Sequence, residues 1–333
     1  MSLLKLVKES GFSDKEEITV LRVIEEDQSL EFGFVSAILP ELNFEKVIQF
    51  AGASGFSCIE VMCWPIGKAE RRYAGVTHID VDTLDDAKIK QILDIVESNH
   101  VLISSLGYYP NPLDADPEKR TIYIEHIRKL ILASVKLGVN QVSTFIGKDP
   151  KKTIDENFSM FEEIWTPIIA FAKAKKVRIA IENCPMYFTL NEWPGGLNLA
   201  TTPAIWRRMF QTIPSPYFGL NYDPSHLVWQ QMDYIKPIYE FRDRIFHVHF
   251  KDIKINQEKL DQVGIMAAPL EYMSPKLPGM GDVDWGKFVS ALNDIRYKGS
   301  ACIEIEDKAF EDTLADRMKS ILISRNYLNQ YLI

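Results

Sequence analysis

Short apolar runs alternate along the chain with longer stretches in which apolar residues recur at helical spacing. The apolar runs are predicted to be strands at residues 32–38, 57–62, 101–106, 141–145, 178–182, 217–222, 245–250 and 301–305. The stretches between them are predicted to be helices, and several begin at a capping residue such as Asn43 or Thr202. Eight strands, each followed by a helix, predict an α/β fold, a (β/α)8 TIM barrel.

The barrel is expected to form one catalytic domain over residues 31–333, after an N-terminal extension over residues 1–30. The first 30 residues are charged and contain no clear strand, and no polar linker divides the rest of the chain. The connection 254–282 contains Pro and Gly but no strong period. It is predicted to be a lid, a contact with a partner subunit, or an ordinary surface excursion.

The composition narrows the class of partner. The chain has 333 residues, a net charge of −8 and a pI near 5.4, which argues against nucleic acid and acidic membranes as partners. A small anionic substrate stays open, because it needs only a local basic pocket. The four cysteines form no CxxC pair, and no run of 18 apolar residues or signal peptide is evident. A cytoplasmic protein with free thiols is predicted.

Acidic or imidazole side chains end four successive late strands: Glu182, Asp223, His249 and Glu304. Active residues of TIM barrels lie at the carboxyl ends of strands. Three converging carboxylates would repel one another, and a divalent cation removes that repulsion. One imidazole and three carboxylates suit Mn²⁺ first, with Co²⁺, Mg²⁺ or Zn²⁺ as alternatives. For each residue alone, a salt bridge or a loop anchor is the other interpretation.

Five further residues are candidates for contact with a substrate: His226, Lys251, Glu306, Trp64 and Tyr108. His226 follows Asp223 by three positions, and Lys251 and Glu306 share a strand face with His249 and Glu304, respectively. The two aromatic rings lie in predicted loops after strands and could stack on a sugar. Surface exposure of the polar residues, or core packing of the rings, is the alternative in each case.

Three segments resemble the xylose-isomerase-like TIM-barrel superfamily: residues 221–226 (NYDPSH), 247–252 (HVHFKD) and 277–285 (LPGMGDVDW). The resemblance covers roughly residues 31–325. The superfamily includes ketose 3-epimerases, hydroxypyruvate isomerase, inosose dehydratase and type IV apurinic endonucleases. The resemblance implies a metal shell of Glu182, Asp223, His249 and Glu304, with the two glutamates exchanging the substrate proton and His226 touching the substrate.

The chain departs from the endonucleases, which carry additional histidines after strands two and three. Those regions here read Cys63-Trp64-Pro65 and residues 107–111 (GYYPN), without histidine. This difference and the acidic charge disfavour DNA repair.

The resemblance and the ligand set predict proton transfer on a small keto-sugar or sugar-like carbohydrate through an enediolate. The reaction is expected to be isomerisation or epimerisation. Two alternatives stay open: a lyase, similar to inosose dehydratase or to a deglycosidase that eliminates from a keto-sugar, and a non-enzymatic carbohydrate-binding barrel. A homo-oligomer or a partner subunit is compatible with the sequence.

Overall fold

The predicted strands close into a parallel barrel in the computed structural model, which describes residues 30–67, 74–187 and 193–332. The strands are β1 (Glu31–Val35), β2 (Cys58–Met62), β3 (Leu102–Gly107), β4 (Gln141–Thr144), β5 (Arg178–Glu182), β6 (Phe218–Tyr222), β7 (Ile245–Phe250), β8 (Asp252–Ile255), β9 (Met273–Lys276) and β10 (Ser300–Ile303). The barrel follows the order β1, β10, β7, β6, β5, β4, β3, β2. The (β/α)8 prediction is confirmed. Nearly all of the predicted extension, residues 1–29, lies outside the described ranges.

Helices surround the barrel: α1 (Phe44–Ala53), α2 (Asp86–Ser98), α3 (Pro117–Lys136), α4 (Ile154–Ala174), α5 (Pro203–Thr212), α6 (Ser225–Val228), α7 (Lys236–Glu240), α8 (Gln257–Val263), α9 (Trp285–Asp294) and α10 (Leu314–Leu328). Side chains cap several amino ends, as predicted for Asn43 and Thr202. In the described part of the chain, no helix is long and apolar enough to cross a membrane.

The barrel strands are largely buried, which explains their apolar runs. Some buried strand residues are nevertheless polar. Among them, Glu60, Asn221 and His247 are each 0% exposed. Between the first two strands, Gly33 of β1 pairs with Cys58 of β2, and a Cβ on Gly33 would lie 2.0 Å from the Cys58 carbonyl oxygen. Only glycine fits this approach. Strand β1 ends at Val35, because residues 36–38, predicted as strand, form a 3-10 turn.

The connection after β7 contains an antiparallel hairpin, β8 with β9, and the helix α8. The sequence analysis predicted no regular element there, and that was wrong. The two strands have only four residues each, and β9 contains Pro275. Segments this short give no clear alternation, and proline disfavours a strand assignment.

Asp252 fixes the end of this connection to the barrel. Its buried carboxylate accepts hydrogen bonds from the backbone N–H groups of Gly279 at 2.9 Å and Val283 at 3.1 Å. The indole of Trp285 donates to it at 2.9 Å. The motif at 277–285 is therefore held in place by a single carboxylate.

Replacing Asp252 with alanine should lower the free energy of unfolding by about 3 kcal/mol, because several buried N–H groups lose a charged acceptor. Urea denaturation measures this loss. The matched control is Asp284→Ala, which removes the cap of α9 and an exposed ion pair with Lys287 and should lower it by about 1 kcal/mol. Equal losses in the two variants would contradict this role of Asp252.

Candidate metal centre and active site

Four side chains from neighbouring strands converge at the carboxyl end of the barrel. Glu182 is the last residue of β5, Asp223 follows β6, His249 lies in β7, and Glu304 follows β10. One ligand atom from each lies within 4.8 Å of the ligand atoms of the others, and all four residues are buried. The structure thus brings together the four side chains that the sequence analysis named as metal ligands.

His249 Nδ1 faces two of these carboxylates. It is 3.1 Å from Glu304 Oε2 and 3.6 Å from Glu182 Oε1. His226, at the start of α6, approaches from the other side, with Nε2 3.1 Å from Asp223 Oδ2 and 3.6 Å from Glu182 Oε1. His226 is therefore part of the same buried cluster, and its alternative interpretation as a surface residue is wrong.

Four buried atoms in the cluster have no hydrogen-bond partner within the described ranges: Asp223 Oδ2, His226 Nε2, His249 Nδ1 and Glu304 Oε2. Leaving a buried polar atom unsatisfied costs about 1–3 kcal/mol. The His226 atom lies outside the predicted ligand set, and the other three atoms belong to three of the four predicted ligands. A cation between them would satisfy each one, and a donor set of one nitrogen and three carboxylates fits a divalent metal.

The surrounding charges lower the pKa of two carboxylates of the cluster, Glu182 and Glu304. Burial raises the pKa of Glu182, but the attraction of the nearby His226 and His249 outweighs burial and lowers it. Burial also raises the pKa of Glu304, and the charge of Lys251 lowers it on balance. For His249, burial lowers the pKa, and the charges of Glu60 and Glu304 raise it well above its usual value.

Lys251 and Glu306 form an ion pair at the edge of the cluster. Lys251 Nζ lies 2.6 Å from Glu306 Oε2 and 3.5 Å from Glu304 Oε1. Lys251 is only 4% exposed, so its alternative interpretation as a solvated surface lysine is wrong. Both residues line the same pocket as Glu182, His249 and Glu304, and their contact with a substrate stays a prediction.

The two predicted aromatic contacts differ in position. Trp64 lines the pocket, whereas Tyr108 is buried behind it, with ring centroids 4.8 Å from Trp64 and 4.5 Å from His126. Tyr109, not Tyr108, lines the pocket. Successive side chains of an extended segment point to opposite sides. The ring of Tyr109 therefore points into the pocket, and the ring of Tyr108 points away from it.

Glu60 is the site residue that the sequence analysis missed. It lies in the middle of β2, and its Oε2 is 2.7 Å from His249 Nε2. A glutamate inside the otherwise apolar run CIEVM was a visible signal, because a carboxylate is rarely buried without a partner. The charged candidates came only from the ends of the late strands and the residues just after them, so Glu60 in β2 was not among them.

The chain belongs to the xylose isomerase-like TIM barrel family, whose model matches residues 48–328. The uncharacterized protein YfiH of Bacillus subtilis is 25% identical over 303 residues, which are 84% of this chain and 93% of YfiH. Inosose dehydratase of Clostridium perfringens is 23% identical over 276 residues, 79% of this chain and 88% of the relative.

Solved structures share the fold at low identity. D-psicose 3-epimerase from Clostridium cellulolyticum H10, solved with D-tagatose, has a TM-score of 0.67 at 15% identity, over 91% of this chain and 99% of the epimerase. The IOLI protein, solved with a zinc atom, has a TM-score of 0.68 at 16% identity, with the same coverage. Identities this low support the shared fold alone.

Two histidine variants separate metal ligation from other roles at this site. His249→Ala should remove most of the bound divalent metal, because it deletes the one nitrogen of the predicted ligand set. His226→Ala should leave the metal content nearly unchanged, because the His226 side chain is predicted to contact the substrate and not the metal. Elemental analysis of the purified proteins after dialysis measures both. Equal metal loss in the two variants would make His226 a ligand and contradict this assignment.

Proposed function

We propose that this protein is a divalent-metal-dependent isomerase or epimerase of a small keto-sugar or sugar-like carbohydrate. One observation carries the proposal: Glu182 and Glu304 flank His249 Nδ1 at 3.6 and 3.1 Å beneath a pocket, with the partnerless atoms described above. Two ionised carboxylates on either side of a cation position are suited to moving a proton between carbon atoms or faces of a bound substrate.

Glu182, Asp223, His249 and Glu304 would hold the metal. A divalent cation there supplies Lewis-acid chemistry, which stabilises negative charge on a substrate oxygen and acidifies the neighbouring C–H bond. The preponderance of carboxylate oxygen supports Mn²⁺ as the resident ion, with Co²⁺, Mg²⁺ and Zn²⁺ as alternatives.

The proposed proton path uses the two glutamates. One carboxylate accepts the proton from the carbon next to the substrate carbonyl, and the other returns a proton from the opposite side. Return to the other carbon gives an isomer, and return to the other face gives an epimer. His226, beside Glu182 and Asp223, would hold a substrate hydroxyl, and Lys251 would hold a second oxygen.

The opposite wall of the pocket is apolar and aromatic. It includes Trp64, Tyr109, Met62 and Phe145. Aromatic rings bind the apolar faces of sugars, and an apolar wall limits the access of water to a reactive intermediate. This division of the pocket supports a carbohydrate as the substrate. The acidic net charge supports neither nucleic acid nor an acidic membrane as a partner.

Elimination is the second candidate reaction. Inosose dehydratase of Clostridium perfringens resembles this chain over 79% of its length. In addition, the Lys251–Glu306 pair lies beside Glu304, where an ammonium group could protonate a leaving hydroxyl. Elimination and epimerisation share the first proton abstraction and differ in what happens next. Proton NMR of products from a panel of keto-hexoses and inososes separates the two.

Glu182→Gln and Glu304→Gln should stay folded and lose about 10²–10⁴-fold in turnover, since glutamine keeps the size of the side chain but cannot accept the proton. The wild-type enzyme should also introduce solvent deuterium at the reacting carbon when the reaction is run in deuterated water. Steady-state rates and mass spectrometry of the product measure the two effects.

The control is Glu311→Gln, a glutamate on the loop after β10 that does not line the pocket and should keep wild-type turnover. Full activity in both active-site variants would remove these glutamates from the mechanism. A product without deuterium would indicate a hydride shift or a reaction without an enediolate.

A further inference from the structure

Glu60 is a fully buried carboxylate that reaches His249 from the side opposite to the metal position. Its Oε2 lies 2.7 Å from His249 Nε2 and 3.8 Å from His247 Nδ1. The other nitrogen of the His249 ring, Nδ1, faces Glu182 and Glu304. The two nitrogens of the His249 ring therefore contact carboxylates on opposite sides. Of these carboxylates, only that of Glu60 is not a proposed metal ligand.

The other oxygen of Glu60 is held by Tyr109. The phenol hydroxyl donates a short hydrogen bond to Glu60 Oε1. Burial, followed by the charge of Glu60, raises the pKa of Tyr109 well above its usual value, so the phenol keeps its proton and remains a donor. With Oε1 engaged in this way, the orientation of the carboxylate is fixed and Oε2 is directed at the imidazole.

Two groups compete for His249 Nε2: Glu60 Oε2 at 2.7 Å and Asn221 Nδ2 at 2.9 Å. An ionised carboxylate only accepts hydrogen bonds, whereas an amide nitrogen only donates them. If Nε2 carries the hydrogen, Nδ1 presents its lone pair to the metal position. If Nε2 instead accepts from the amide, the neutral ring carries its hydrogen on Nδ1, which then points an N–H group at the metal position.

We propose that Glu60 is a positioning residue that selects the Nε2–H form of His249 and so directs Nδ1 at the metal. This inference rests on the metal-dependent function proposed above. A hydrogen bond to a charged acceptor is about twice as strong as a neutral one, so the carboxylate wins the competition. The Asn221 amide has other partners: its NH₂ group donates to the Tyr109 hydroxyl oxygen at 3.1 Å, and its oxygen accepts from His247 Nδ1 at 3.0 Å.

The experiment compares Co²⁺ binding to metal-free wild type and Glu60→Gln. Glutamine lacks the charge, and its NH₂ group can donate to Nε2, which favours the wrong form of the ring. The variant should bind Co²⁺ about 10–100-fold more weakly by titration calorimetry, the range for losing an outer partner of a ligating histidine. Its visible Co²⁺ spectrum should also change, because a misoriented ring alters the ligand geometry.

Two further variants keep the comparison informative. Ser105→Ala removes a buried barrel hydroxyl that contacts Ser143 at 2.8 Å, and it should keep wild-type affinity and spectrum. Glu60→Asp keeps the charge but withdraws it from Nε2, so it should weaken Co²⁺ binding as Glu60→Gln does. It also serves as the test if the glutamine variant fails to fold, which thermal unfolding of the metal-free proteins would detect.

Wild-type affinity and an unchanged spectrum in the folded Glu60 variants would overturn the proposal, as would a wild-type protein that binds no Co²⁺. A different set of results would contradict the proposed function but leave the role of Glu60 intact. In that case the wild type binds Co²⁺ and the Glu60 variants bind it weakly, but no keto-sugar or inosose is converted.

Discussion

The buried carboxylates at the end of the late strands impose the constraint on which the rest of the site depends. Glu182, Asp223 and Glu304 present oxygens within 4.8 Å of one another, in a region from which water is largely excluded. Charges this close repel strongly at low dielectric. His249, His226 and Lys251 surround these carboxylates. Asp223 Oδ2 and Glu304 Oε2 still have no hydrogen-bond partner among the described residues, and their lone pairs fit a divalent cation.

The closed barrel explains why these residues meet. Strands β5, β6, β7 and β10 are consecutive around the ring, so residues at their carboxyl ends converge although more than 100 positions separate the first from the last. The other four strands supply the apolar wall, with Val35, Met62 and Phe145 among its residues. A substrate bound between the two halves would meet charged groups on one side and an apolar surface on the other. The proposed stacking and proton transfer would thus use different parts of one pocket.

The fold and the polar residues at the ends of the late strands could be predicted from the sequence, because both follow from the local pattern of apolar and polar residues. Apolar runs mark buried strands, and the polar residue that ends each run marks the rim of the barrel. Glu60 and Tyr109 could not be placed this way. The contact between Glu60 and His249 joins residues 189 positions apart, and it depends on the register across the barrel. The β8–β9 hairpin was missed because four-residue strands contain too little alternation.

The most direct test of the account is the position of the metal itself. Crystals grown with Mn²⁺ should show one strong anomalous peak, at about 2.0–2.6 Å from a carboxylate oxygen of Glu182, Asp223 and Glu304 and bonded to His249 through Nδ1. Glu60 should remain hydrogen-bonded to Nε2 in the same crystals. Absence of a peak at saturating Mn²⁺, or a peak coordinated by other side chains, would contradict the central claim.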